Sequence, residues 1–300
     1  QAGAECLRQA GVTTVRVERT LPFLFAHQLQ QAGIKLNYDG DYGVLQRRIK
    51  NDEELEHLRA VQKITEATME MACSLIGRSP ADAEGVLQHE GAALTSERVR
   101  QLISRFVLDH DCTTLHDSIV VTVPHVADCH HFGTGPLRKD LPVIVDIFPT
   151  HNHTHYCGDC TRTVVNGDVS DIVRDMHACV VRANAAGCAA LQPGTTGQAV
   201  HEAVAAVIRE GGYSMGAPTS EKDEEWIGMR HGTGHGIGLD VHEPILLATG
   251  GGEILEREVF TVEPGLYSAI HGGVRVEDMV AVTATGHENF NQLHSELDWR

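Results

Sequence analysis

Leu55, Leu58, Val61, Ile64, Thr68 and Met71 recur at helical spacing through NDEELEHLRAVQKITEATMEMACSLIG. That pattern predicts one long amphipathic helix, opened by Asn51 or Asp52 as its cap. TSERVRQLISRFVLDH predicts a second helix with a capping-box-like start at Ser96. Two strand-like blocks follow, DSIVVTV and PVIVDIF, the latter apolar throughout as a buried strand requires. The order then recurs. SDIVRDMHACVVRANAAGCAAL reads as a long helix, QPGTTG as a break and QAVHEAVAAVIREGG as a shorter helix. HGIGLDVH, EVFTVEPGLY and GVRVEDMVAVT complete the second half as strands.

Two successive helix–helix–strands runs point to an internally duplicated α+β domain over 46–300, with a site between its halves. Ahead of it, residues 1–45 read as helix, strand (VTTVRVE), helix (LPFLFAHQLQQAG), strand (IKLN) and a polar, glycine-containing link. This piece of an α/β layer is too small to bury a core alone. The chain opens on Gln1 with nothing resembling a secretory signal, and it reads as a processed or truncated product.

Composition narrows the function classes. No apolar run is long enough to span a bilayer, so no membrane role is expected. A net charge of −17 without clustered Lys and Arg argues against nucleic acid. Part of that charge fits a cluster of carboxylates awaiting divalent cations. Eight cysteines form no compact disulfide framework in a chain of 300 residues, which suits a reducing cytoplasm.

The chemistry lies where acids interrupt apolar runs. Asp146 ends VIVD, Asp159 sits between two cysteines, Glu263 follows VFTV and Glu277 follows VRV. Each alone reads as an edge position or a salt bridge, because a carboxylate in a β-branched run is costly unless something offsets its desolvation. Four of them, with a glycine-flanked His235, instead form an oxygen-rich ligand set with one imidazole. It suits two ions of Mn²⁺, Co²⁺ or Zn²⁺ close enough to share an activated hydroxide, though residue types alone do not name the reaction. The stretch HNHTHYCGDC, residues 151–160, offers a competing reading as a soft-metal tract of His151, His153, His155, Cys157 and Cys160. One C-x-x-C without a second pair is a weak zinc signal.

DIFPTHNHTHYCGDCTRT, HGTGHGIGLDVHEP, TVEPGLY and VRVEDM together resemble the pita-bread metallopeptidases, the family of methionine aminopeptidase, aminopeptidase P and prolidase. The resemblance covers about 46–290, and D-I-F-P is similar to an Xaa-Pro peptidase-like branch. It implies a pita-bread fold with internal pseudo-twofold duplication, preceded by the C-terminal remnant of a smaller creatinase-type α/β domain. It further implies that Asp146 chelates one metal, His235 and Glu263 the other, and that Asp159 and Glu277 bridge both. Mn²⁺ is the first expectation. His130 resembles the family's histidine near the substrate amine or scissile carbonyl, with His131 as the neighbouring alternative. His231 and His242 resemble the two substrate-contacting histidines, and Arg275 would hold acidic ligands in place.

A preceding α/β piece departs from methionine aminopeptidases. VHEPILLATG lacks the arginine with which prolidases grip a dipeptide carboxylate. The expected activity is therefore that of an Xaa-Pro aminopeptidase acting on peptides, in the cytoplasm, with a homodimer as a candidate assembly. A prolidase-type dipeptidase and a non-catalytic peptide-binding member of the fold are the alternatives.

Overall fold

The computed structural model describes residues 2–218 and 225–300, which divide into two compact units, 1–48 and 49–300. The first contains α1 (Ala2–Gln9), β1 (Thr14–Val17), α2 (Phe23–Gln31) and β2 (Lys35–Tyr38), with β1 and β2 paired in parallel. It buries few apolar side chains of its own. Ala4, Ile34 and Val44 are covered, whereas Phe23, Leu24 and Phe25 are exposed.

The second unit opens with α3 (Asp52–Arg78). Asn51 caps it, accepting from the Glu54 N–H while Glu54 accepts in return, a reciprocal capping box. Its buried stripe runs through Leu55, Leu58, Val61, Thr65, Met69, Ala72 and Ile76, so Ile64 and Met71 lie at the stripe's margins. The next helix, α4 (Ser96–Leu108), is capped by Thr95 rather than Ser96, because the Thr95 hydroxyl takes the Arg98 N–H. A three-stranded antiparallel sheet follows: β3 (Ile119–Val121), β4 (Pro142–Ile147) and β5 (Cys160–Val165), with β4 central. α5 (Asp171–Ala190) and α6 (Gly197–Glu210) are the second helix pair. The helix–helix–strands order therefore occurs twice.

Alternation along β4 and β5 sorts their side chains between two faces. Val143, Val145 and Ile147, with Cys160 and Val164, pack against Met69, Ala72, Cys73 and Ile76 of α3. Ile144 faces the opposite way, toward Tyr267. Asp146 shares its parity and meets Arg275 on that side. Thr161 and Thr163 of β5 likewise bond to Glu277 and Arg275.

The remaining strands are β6 (Gly234–Gly236), β7 (Glu243–Leu247), β8 (Val259–Val262), β9 (Gly265–Ser268), β10 (Gly272–Arg275), β11 (Asp278–Thr283) and β12 (Gly286–Asn289). They form a five-stranded sheet in the order β7-β6-β8-β11-β12. A four-stranded sheet joins β9 and β10 to the short strands Ser214–Met215 and Gly228–Met229. Two predicted strands are thereby each split. EVFTVEPGLY passes from one sheet to the other at Glu263 and Pro264, and GVRVEDMVAVT crosses back at Val276 and Glu277. HGIGLDVH is regular only at His235 and Gly236, its first two residues. Among the described residues no helix is long and apolar enough to cross a membrane.

Candidate metal centre

Each acid singled out above sits where a strand begins, ends or changes sheet, so the fold turns its carboxylate toward one cavity. That cavity, of about 820 Å³, is lined by Asp146, Asp159, His235, Glu263 and Glu277, with His130, His231, His242 and Arg275 beside them. The two crossing points carry Glu263 and Glu277, whose backbone N–H groups bond to the carbonyls of Thr233 and Thr161. His235 arrives on β6. Gly234 before it is required by close approach, since a Cβ there would lie 1.9 Å from the Thr261 carbonyl oxygen.

One oxygen each from Asp159 and Glu277 and a ring nitrogen of His235 lie within 4.8 Å of one another, all three residues buried. The Nε2 atom of His235 stands 3.9 Å from Asp159 Oδ2 and 3.8 Å from Glu263 Oε1, too far for hydrogen bonds. Its other nitrogen, Nδ1, lies 3.1 Å from the Gly236 carbonyl, which can only accept. Nδ1 therefore carries the proton and Nε2 presents a lone pair to the carboxylates. Burial, with His242 next, pushes the His235 pKa down to about 3, so the ring is neutral. Among the described residues no donor stands between that lone pair and the carboxylate oxygens it faces. Asp146 adds a further unmatched acceptor. Its Oδ2 receives Arg275 at 2.6 Å, while its buried Oδ1 has no partner. This donor set fits divalent cations.

The electrostatics agree. Burial first, then neighbouring carboxylates, holds Asp159 and Glu277 well above the usual carboxylate range. Burial likewise raises Glu263 to about 7, against the opposing pull of Arg275. Without cations, these acids resist ionising together.

The neighbouring groups divide by what they touch. His130 lines the cavity, whereas His131 stacks on His125 and accepts the Gly133 N–H, away from it. His242 packs edge-on to His235 with ring centres 4.2 Å apart. Both nitrogens of His231 are engaged, Nδ1 with the Gly232 carbonyl and Nε2 with the Tyr267 hydroxyl, each at 2.7 Å. Arg275 donates to that same hydroxyl at 2.9 Å as well as to Asp146.

Three supporting residues escaped the sequence reading. Gln62 of α3 grips the backbone of Asp159, accepting its N–H at 3.0 Å and donating to its carbonyl at 2.6 Å. Thr161 donates to Glu277 at 2.7 Å. Tyr267 links His231 to Arg275. A glutamine on the buried stripe of α3 was the available signal for the first, and neither of the others stands out from its strand.

Of residues 151–160, Cys157 and Asp159 line the cavity and the three histidines do not. His153 and His155 are exposed, and His151 is half-buried with its Nδ1 turned to Thr154. Cys160 points to the α3 side of β5, opposite to Asp159, and receives Asn291. Cys157 contacts Thr150 and the Leu239 carbonyl. Among the described residues none of these five joins a metal-sized cluster.

The family model of metallopeptidase family M24 matches residues 56–284. An uncharacterized peptidase of Staphylococcus haemolyticus is 29% identical over 244 residues, covering 81% of this chain and 62% of that protein. The chain thus spans less than two thirds of the length of that relative. The probable dipeptidase PepE of Mycobacterium tuberculosis is 35% identical over 181 residues, 60% of this chain and 45% of its own. The solved structure of an Xaa-Pro dipeptidase from Bacillus anthracis superposes with a TM-score of 0.82 at 26% identity, over 99% of this chain and 77% of that one. The pita-bread architecture expected from the motifs is the architecture observed.

Proposed function

The chain belongs to metallopeptidase family M24, and on that premise we propose that it removes an N-terminal residue preceding proline, as a metallo-aminopeptidase. The observation that carries this reading is the convergence of His235 Nε2 with buried carboxylates and no donor between them. In it, Asp146, Asp159, His235, Glu263 and Glu277 would hold two divalent cations, with Asp159 and Glu277 as the carboxylates that would serve both. Mn²⁺ is favoured by the oxygen-rich set, with Co²⁺ or Zn²⁺ as alternatives. Such ions, when bound, supply Lewis-acid activation of water and of the scissile carbonyl.

The chain's own groups do the rest. Glu263, which faces the cavity, is placed to take a proton from water and return it to the departing nitrogen. That return matters for proline, whose nitrogen in the peptide bond bears no hydrogen. His242 and His130 face the cavity and are placed to donate to the developing oxyanion or to hold the substrate amine. Arg275 fixes Asp146, Thr161 fixes Glu277 and Gln62 fixes the backbone of Asp159. The single guanidinium among the described cavity residues, Arg275, is already paired with Asp146. Among the described residues a free dipeptide's carboxylate thus meets no dedicated cation there, which favours longer peptides. The second reading, a dipeptidase, is supported by the names of the PepE and Bacillus relatives. Eight free thiols, seven of them buried, suit a reducing compartment.

The test pairs elemental analysis with digestion of Xaa-Pro and Xaa-Pro-Xaa substrates under Mn²⁺, Co²⁺ and Zn²⁺. Two ions per chain and a higher kcat/KM on the tripeptide are expected. Faster cleavage of the dipeptide would establish the second reading, and a metal-free, inactive protein would reject both.

A further inference from the structure

The segment Gly238–His242 delivers Leu239, Asp240 and His242 to the cavity. It leaves the sheet after β6 and rejoins it at β7, where the pairing register shifts. Regular strand pairing does not hold it. Its ties run instead to the first residue of β7, Glu243. Oε1 of Glu243 accepts the Leu239 N–H at 3.1 Å and the Asp240 N–H at 3.4 Å. The backbone presses directly on this carboxylate, since a Cβ on Gly238 would lie 2.7 Å from its Oε2. The Gly238 carbonyl receives the Cys157 N–H at 2.9 Å.

Oε2 of the same carboxylate receives Lys50 at 3.1 Å, from a position 193 residues away. The two side chains are 3% and 0% exposed. Lys50 is itself held at both backbone ends by Arg257, whose carbonyl takes the Lys50 N–H and whose Nε donates to the Lys50 carbonyl. A fully buried ion pair is costly to desolvate, and as a mere staple it is replaceable by an apolar pair. What an apolar residue cannot do is accept two loop N–H groups that face inward.

We infer that Glu243, neutralised by Lys50, is a positioning residue that holds Gly238–His242 in the shape presenting His242 to the substrate. The assignment rests on the peptidase reading of the cavity. Glu243 does not line the cavity itself, and it acts through the loop.

Four variants test this in the full chain: Glu243→Gln, Lys50→Met, Lys50→Arg and the double variant Lys50→Met/Glu243→Gln. Steady-state kinetics on an Xaa-Pro-Xaa peptide, elemental analysis and amide hydrogen exchange of the 238–242 segment are read on each. Glu243→Gln and Lys50→Met are expected to lower kcat about 10–100-fold, with KM within about threefold and metal content unchanged. Exchange of the Leu239 and Asp240 amides should accelerate in both. Lys50→Arg should retain most of the turnover. The double variant should lose less than the product of the singles, because no unpaired charge remains.

Unchanged loop exchange in Glu243→Gln overturns the clamp. Faster exchange with unaltered kcat reduces the pair to a structural staple and overturns the positioning role. Should Glu243→Gln fail to fold, Lys50→Met and the double variant decide by the same readouts. An inactive parent whose loop exchange still responds to Glu243→Gln rejects the peptidase reading and with it the role toward substrate, leaving only the clamp.

Discussion

Two neighbouring regions of this protein concentrate the residue types that bind metals, and they behave oppositely. His151, His153 and His155 stand within five positions of one another, on a turn that leaves two of them exposed. Asp146, Asp159, His235, Glu263 and Glu277 are spread over 132 positions of the chain but face one cavity, four of them buried. In the first region His153 and His155 are exposed and His151 bonds within the turn, so nothing there demands an ion. In the second, carboxylates and an imidazole lone pair are gathered with fewer donors than they need, Arg275 meeting one oxygen of Asp146 and Thr161 one of Glu277, which is tolerable only if cations or protons make up the difference. Unmet electrostatic need in the folded chain marks a metal centre better than density along the sequence does.

The comparison breaks first at the two carboxylates proposed to serve both ions. Asp159→Ala and Glu277→Ala are each expected to abolish peptide cleavage and empty the site, measured by elemental analysis and kinetics. Retention of both ions with near-normal turnover in either variant would remove the two-metal reading. A smaller effect is expected from His242→Ala, which should keep its ions yet lose about 10²–10³ in turnover, the usual cost of one oxyanion donor. Loss of metal in that variant would turn His242 into a ligand, and unchanged kinetics would retire it from the mechanism. Arg275→Met, which frees Asp146 from its orienting cation, should weaken metal affinity about 10–100-fold, read by competition with a chelator.

A pH experiment sharpens the contrast. Glu263, at about 7 in the metal-free fold, lies above its ordinary 4.5, and Asp159 and Glu277 are raised in the same direction. A carboxyl raised on folding favours the folded state below its unfolded pKa, and that contribution is lost as pH climbs through the folded value. Below about pH 6.5 His231 and His235, each held near 3 in the fold, oppose this trend, so the Tm of metal-free protein should fall only as pH climbs above about 6.5, while added Mn²⁺ reverses the fall because ions replace the protons. A metal-free Tm that rises across this window contradicts the raised values. Smallest of all, His153→Ala and Cys160→Ser should leave metal content unchanged, and a loss in either would restore the histidine-rich stretch as a ligand source.

Much of the architecture was legible because periodicity reports directly on burial. The stripe of α3, the apolar block of β4 and the repeated helix–helix–strands order all follow from which side chains must leave water. The motifs in which Asp146, Asp159, His235, Glu263 and Glu277 stand were likewise readable, since acids inside β-branched runs need a compensating partner. Less legible were the breaks in those runs. EVFTVEPGLY and GVRVEDMVAVT look continuous, yet each changes sheet at its glutamate.

The sequence by itself therefore determined the elements, the family resemblance and the inventory of ligand types, because those depend on local pattern and composition. Tertiary structure alone decided which donors meet which acceptors. It turned Cys160 to the helix side of β5 and Asp159 to the cavity side, and it occupied both nitrogens of His231. It brought Gln62 onto the backbone of Asp159 from 97 positions away and Lys50 onto Glu243 from 193. Such pairings depend on strand parity, sheet crossing and long-range packing, and no spacing along a single chain encodes the distance between two residues that only the fold brings together.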